Sequence, residues 1–110
     1  MGKSKKAAFT KVIGKVQGPI AALSAVINDP VGIYVPSQGM EEAKAALEQL
    51  RSIFTACSTG ITTAADGATP PSLDEVADIL VIAQAKHKTM QTLLANARKA
   101  RNIPAVSGSL

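Results

Sequence analysis

Two stretches of this chain alternate apolar positions three and four residues apart for long enough to predict a pair of helices. In the first, Ala43, Leu47, Leu50, Phe54, Cys57, Ile61 and Ala64 form a heptad seam, the spacing that keeps one face of an α-helix against a partner. Pro36 and Ser37 prepare its start, Glu41 and Glu42 are expected in its first turn against the helix dipole, and Asp66-Gly67 should end it. Gly60 and the threonines Thr55, Thr59, Thr62 and Thr63 lower its helix propensity, so its second half depends on tertiary packing.

In the second stretch Leu73, Val76, Leu80, Ala83, His87, Met90, Leu94 and Ala97 repeat the same alternation. It follows the breaker Ala68-Thr69-Pro70-Pro71, and Ser72 stands three residues before Glu75 in the spacing of a capping box. Arg98, Lys99 and Arg101 precede Ile103-Pro104, so the helix should run to about Asn102. Two seams of similar length on a short loop make an antiparallel hairpin, roughly 35–40 Å long at about 1.5 Å per residue. Leu50, Phe54, Leu80, Met90 and Leu94 are expected between its helices.

Upstream, Phe9, Ile13, Val16, Ile20, Leu23 and Ile27 continue a helical pattern that Gly14, Gly18 and Pro19 interrupt. The expectation is a broken helix: a basic amphipathic arm over residues 1–17, then a short apolar helix starting at Pro19 and ending before Asn28-Asp29-Pro30. Val31–Pro36 reads as an extended connection, and residues 105–110 as a flexible tail. The fold class is therefore all-α: a coiled-coil-like hairpin within residues 18–104 plus the broken N-terminal helix, making a small three- to four-helix bundle.

Composition sharpens this picture. With 110 residues the chain suits one small domain. Aromatic residues make up 3% (Phe9, Tyr34, Phe54) and alanine is frequent, so small side chains must fill a core in which helices approach closely. Basic residues follow the initial methionine without an apolar signal core, which argues against a signal peptide. The longest apolar run, Ile20–Ile27, is too short to span a bilayer.

Charge is segregated. Lys3, Lys5, Lys6, Lys11 and Lys15 lie before the first acid, Asp29, and Lys86, Lys88, Arg98, Lys99 and Arg101 lie after the last, Asp78. Only Lys44 and Arg51 fall between. Such segregation points to pairing between segments or to a polyanionic partner. In an antiparallel hairpin Glu41, Glu42 and Glu48 should meet Arg98, Lys99 and Arg101, leaving the five N-terminal lysines for nucleic-acid phosphates or an acidic neighbour.

No catalytic constellation emerges. His87 is the single histidine and sits on a seam, opposite roughly Leu50 and Phe54; Cys57 is the single cysteine and also sits on a seam. Both read as packing residues rather than as a general base or reactive thiol. Asp74, Glu75 and Asp78 cluster at a helix start, where acids usually oppose the dipole. Gly14-Lys15-Val16-Gln17-Gly18 lacks the spacing and the Lys-Ser/Thr ending of a phosphate loop.

The run Ile79-Leu80-Val81-Ile82 is apolar all round its helix, more than one partner can cover, so Ile79, Val81 and Ile82 are candidates for self-association. The expectation is a structural, non-enzymatic subunit of a large assembly such as a virion or filament. It would have no cofactor and no metal, would form a homo-oligomer, and would be cytoplasmic or part of a virion. The alternatives are a sequence-nonspecific nucleoid-type protein, and a membrane-peripheral adaptor attached through Phe9, Val12, Ile13 and Val16.

Overall fold

A computed structural model describes residues 2–63 and 69–101, with the side chains of residues 2–4 and 63 left aside. It contains three α-helices and one short 3-10 helix: α1 (Gly2–Ile27), the 3-10 helix (Pro30–Tyr34), α2 (Ser37–Thr63) and α3 (Leu73–Ala100). Among the described residues there is no strand, so the all-α reading holds. The end foreseen for α2 at Asp66-Gly67 and the tail at 105–110 lie outside the described residues.

Direction follows from pairs of neighbours. Phe9, near the start of α1, lies against Gly60, near the end of α2. Gly39, near the start of α2, lies against Leu93, near the end of α3. Each successive pair is thus antiparallel, an up-down-up bundle in which α1 packs on both other helices.

The core is one cluster running the length of the bundle. From α1 come Phe9, Val12, Val16 and Leu23; from α2, Ala43, Ala46, Leu47, Leu50 and Cys57; from α3, Val76, Ala83, Met90, Leu94 and Ala97. No polar side chain is buried among the described residues. Leu50 and Met90 are fully enclosed, whereas Phe54 and Leu80, expected in the same interior, are half-buried. Leu73 opens the seam of α3 but is 43% exposed.

Small residues set the spacing at two crossings. A Cβ added at Gly60 would stand 2.5 Å from Cζ of Phe9, and one at Gly39 would stand 2.6 Å from Cδ1 of Leu93. The glycine that weakens α2 as an isolated helix is the one that lets the Phe9 ring lie against its backbone.

Three sequence expectations need correction. First, α1 is a single helix that continues through Gly14, Gly18 and Pro19. An interior proline removes one backbone donor and costs about 3 kcal/mol, but Val12, Val16 and Leu23 on either side of it are buried, and burying each such side chain contributes about 1.5–3 kcal/mol. Tertiary packing on α2 and α3 therefore outweighs the local break.

Second, the connection expected to be extended is a 3-10 turn. The Asp29 carboxylate accepts the Val31 backbone N–H at 2.9 Å, Pro30 fixes the first position, and Val31 and Val35 are buried. Third, the acids of α2 sit later than foreseen: the helix begins at Ser37, leaving Glu41 and Glu42 beyond its first turn.

The start of α3 is as its sequence indicates. The Glu75 backbone N–H donates to Ser72 Oγ at 3.1 Å, and the Ser72 backbone N–H donates to Glu75 Oε1 at 3.3 Å, a complete capping box. At its other end Arg101 caps α3, donating its backbone N–H to the Ala97 carbonyl at 3.0 Å.

Candidate interaction surfaces

The lysines of the N-terminal segment lie on the first half of α1, helical as expected of the basic amphipathic arm. Lys6, Lys11 and Lys15 are exposed, Lys5 is half-buried, and the side chain of Lys3 lies outside the described residues. At 100° per residue Lys11 and Lys15 lie about 40° apart on one flank of α1 and Lys6 lies on the opposite flank, with the buried Val12, Val16 and Leu23 between them. No acid occurs on α1, and Lys6, Lys11 and Lys15 form no ion pair among the described residues.

The apolar residues of the same helix are not available to a membrane in this fold. Phe9, Val12 and Val16 are buried in the bundle, and Ile13 is packed partly against it. Among the described residues no helix is long and apolar enough to cross a membrane.

The charge pairs differ from those foreseen. Arg98 reaches Asp29, its Nη1 donating to Oδ2 and its Nη2 to Oδ1, each at 3.0 Å. Arg101 lies over the Tyr34 ring, 3.9 Å from its centroid, as a cation–π contact. Glu42 instead accepts from Lys86 Nζ at 3.0 Å and from Gln38 Nε2 at 3.1 Å, while Glu41 stands 4.0 Å from Lys44. The cause is register: α3 runs past the start of α2, so its last turn meets the folded 3-10 connection.

These contacts act on two carboxyls. The guanidinium of Arg98, with the Val31 N–H, holds Asp29 below the usual carboxylate range, and Lys86 and Gln38 do the same for Glu42.

His87 lines, with Gly18, Pro19, Ala22, Leu23, Ala83 and Gln84, an open, mostly apolar cleft of about 220 Å³ between α1 and α3. No second histidine exists and no acid lines that cleft. Cys57 is buried, which pushes its thiol upward from its ordinary value. Among the described residues no group of three histidine, cysteine or acidic side chains could hold a metal ion.

The apolar run on α3 divides between two faces. Ile79 and Leu80 pack partly against the core, whereas Val81 is 64% and Ile82 49% exposed. A second exposed apolar spot went unread in the sequence: Ile33 and Tyr34 project from the 3-10 turn, Ile33 being 80% exposed. Only the knowledge that residues 30–34 coil could have shown it, because an extended segment would alternate its faces.

The chain was compared with protein-family profiles, with characterised proteins and with solved structures, and none of the three comparisons gives a match.

Proposed function

We propose that this chain is a non-catalytic building block that assembles with other protein copies through the outer face of α3, the lysines of α1 meeting either nucleic acid or an acidic neighbour. The observation that carries the reading is Val81 and Ile82, standing exposed on a helix whose opposite face already supplies the core. A bundle that needed α3 only for its own interior would gain nothing from apolar side chains there. The three helices bring 26, 27 and 28 residues into an elongated body measuring 65 × 23 × 18 Å, with much lateral surface for its mass. Repeated lateral packing in a virion or filament would use such a shape.

Sedimentation over a wide concentration range tests the reading. Mass should rise with concentration, and a constant monomer mass would overturn it.

A second reading, a sequence-nonspecific nucleic-acid-binding protein, is favoured by Lys6, Lys11 and Lys15, three exposed cations on a helix without an acid. The two readings are compatible in one molecule, and the second requires salt-sensitive binding that the first does not.

A further inference from the structure

α3 carries two heptad seams on opposite faces. The inner one runs through Val76, Ala83, Met90, Leu94 and Ala97 into the core. The outer one reads Asp74, Asp78, Val81, Ala85, Lys88 and Thr92, spaced four, three, four, three and four residues apart, and every one of these is exposed. Two acids begin it, two apolar residues sit at its middle, and a lysine follows. Asp74, Asp78 and Lys88 form no ion pair among the described residues.

Resting on the assembly reading above, we infer that this outer seam pairs with the same seam of a second copy, the two α3 helices running antiparallel about a two-fold axis level with Ala83. In an isologous contact each residue meets its counterpart reflected through the axis. Asp78 then faces Lys88 of the other copy, Val81 faces Ala85, and Asp74 faces Thr92. All three layers are satisfied by one axis position, and each off-axis layer occurs twice. A parallel pairing would instead set Asp74 on Asp74, Asp78 on Asp78 and Lys88 on Lys88, so charge selects the antiparallel arrangement.

The central layers are small and apolar, which permits close approach, and Ile82 flanks them as an exposed side chain. One helix-on-helix seam buries less than the about 1,200–2,000 Å² of a standard interface. The dimer is therefore weak, with a dissociation constant on the order of 10–500 µM, and is suited to a contact repeated many times.

The test uses charge reversal in the full chain. Asp78→Lys leaves lysine at both ends of the contact, and Lys88→Asp leaves aspartate at both. Each alone should raise the dissociation constant about tenfold or more, since two attractive pairs become two repulsive ones. Mixed together, the two variants are complementary in both layers and should form a heterodimer within about threefold of the wild-type constant. Residues 78 and 88 are ten apart on one helix, so nothing within a single copy can account for that recovery.

Sedimentation equilibrium from about 1 µM to 1 mM reads the constants, and circular dichroism checks that helicity is retained. Lys88→Gln, which removes the pair without adding repulsion, should give a smaller loss and serves if a reversal variant unfolds. If the wild type associates but neither reversal weakens it, or mixing restores nothing, the α3 pairing is overturned and the assembly reading survives. If the wild type stays monomeric throughout, both fall.

Discussion

Asp29 and Arg98 lie 69 positions apart in the chain and are joined by two parallel hydrogen bonds of 3.0 Å. The same carboxylate accepts the Val31 backbone N–H, so one side chain starts the 3-10 turn and fastens it to the last turn of α3. Where the chain leaves α1, it is anchored to the last turn of α3 at the same end of the bundle.

This arrangement gives a defined pH dependence. The folded pKa of Asp29 is depressed, so its contribution is present above the unfolded value of about 3.9 and is lost as pH falls through the lower folded value. Arg98 is partly solvated, which limits the pair to about 0.5–1 kcal/mol. Asp29→Asn, which keeps an acceptor for the Val31 N–H, should destabilise by about that much at pH 6 and by progressively less below pH 4. Urea denaturation at several pH values would show it, and an unchanged gap between the two proteins at pH 2 would refute it.

The Phe9–Gly60 crossing makes a second prediction. A Cβ at position 60 would meet three atoms of the ring at 2.5 to 2.8 Å, and the Phe9 ring, rigid and enclosed in the core, has little room to turn aside. Gly60→Ala normally strengthens an exposed helix by about 1 kcal/mol. Here it should destabilise the bundle by about 1–3 kcal/mol through overpacking, and Phe9→Leu in the same chain should recover part of the loss. Thermal melts of the two variants and their combination form the cycle.

Core truncations should rank by enclosure. Leu50→Ala empties a fully buried site shared by the bundle and should cost about 3–5 kcal/mol. Leu80→Ala removes a half-buried side chain with room to relax, and about 1–2 kcal/mol is expected from the smaller apolar area regained by water. Equal costs in denaturant titrations would contradict the burial pattern.

The inner seams of α2 and α3 and the capping box at Ser72 were readable because heptad spacing and a three-residue cap are local signals. Pro19 reads as a break because its cost is local, whereas the burial of Val16 and Leu23 that outweighs it depends on two other helices. An antiparallel hairpin alone sets Arg98 beside Glu41, Glu42 and Glu48, because heptad spacing carries no sign of how far α3 runs past the start of α2. The Asp29 cap coils Pro30–Tyr34, and Arg98 and Arg101 meet Asp29 and Tyr34 instead. The candidate surfaces were legible as residue types, Lys11 and Lys15 for charge and Val81 and Ile82 for contact. Their division between faces needed the bundle, which turned Ile79 inward and buried Phe9 and Val12.

Polyanion binding, if it belongs to this chain, should reside on α1. Arg98, Arg101 and Lys86 are engaged by Asp29, Tyr34 and Glu42, whereas Lys6, Lys11 and Lys15 face solvent. Contacts to three to five phosphates of duplex DNA would give a slope of log affinity against log salt of about −3 to −5, with little dependence on sequence. Replacing Lys11 and Lys15 together by glutamine should flatten that slope by about 2 while leaving helicity intact, because both side chains are exposed and glutamine is a good helix former. Arg98→Gln should leave the slope unchanged and lower stability instead. Fluorescence titrations at several salt concentrations distinguish the outcomes: a slope indifferent to Lys11 and Lys15 would remove α1 as the binding face, and the absence of salt-sensitive binding would leave its lysines as a solvated surface or a contact for an acidic protein.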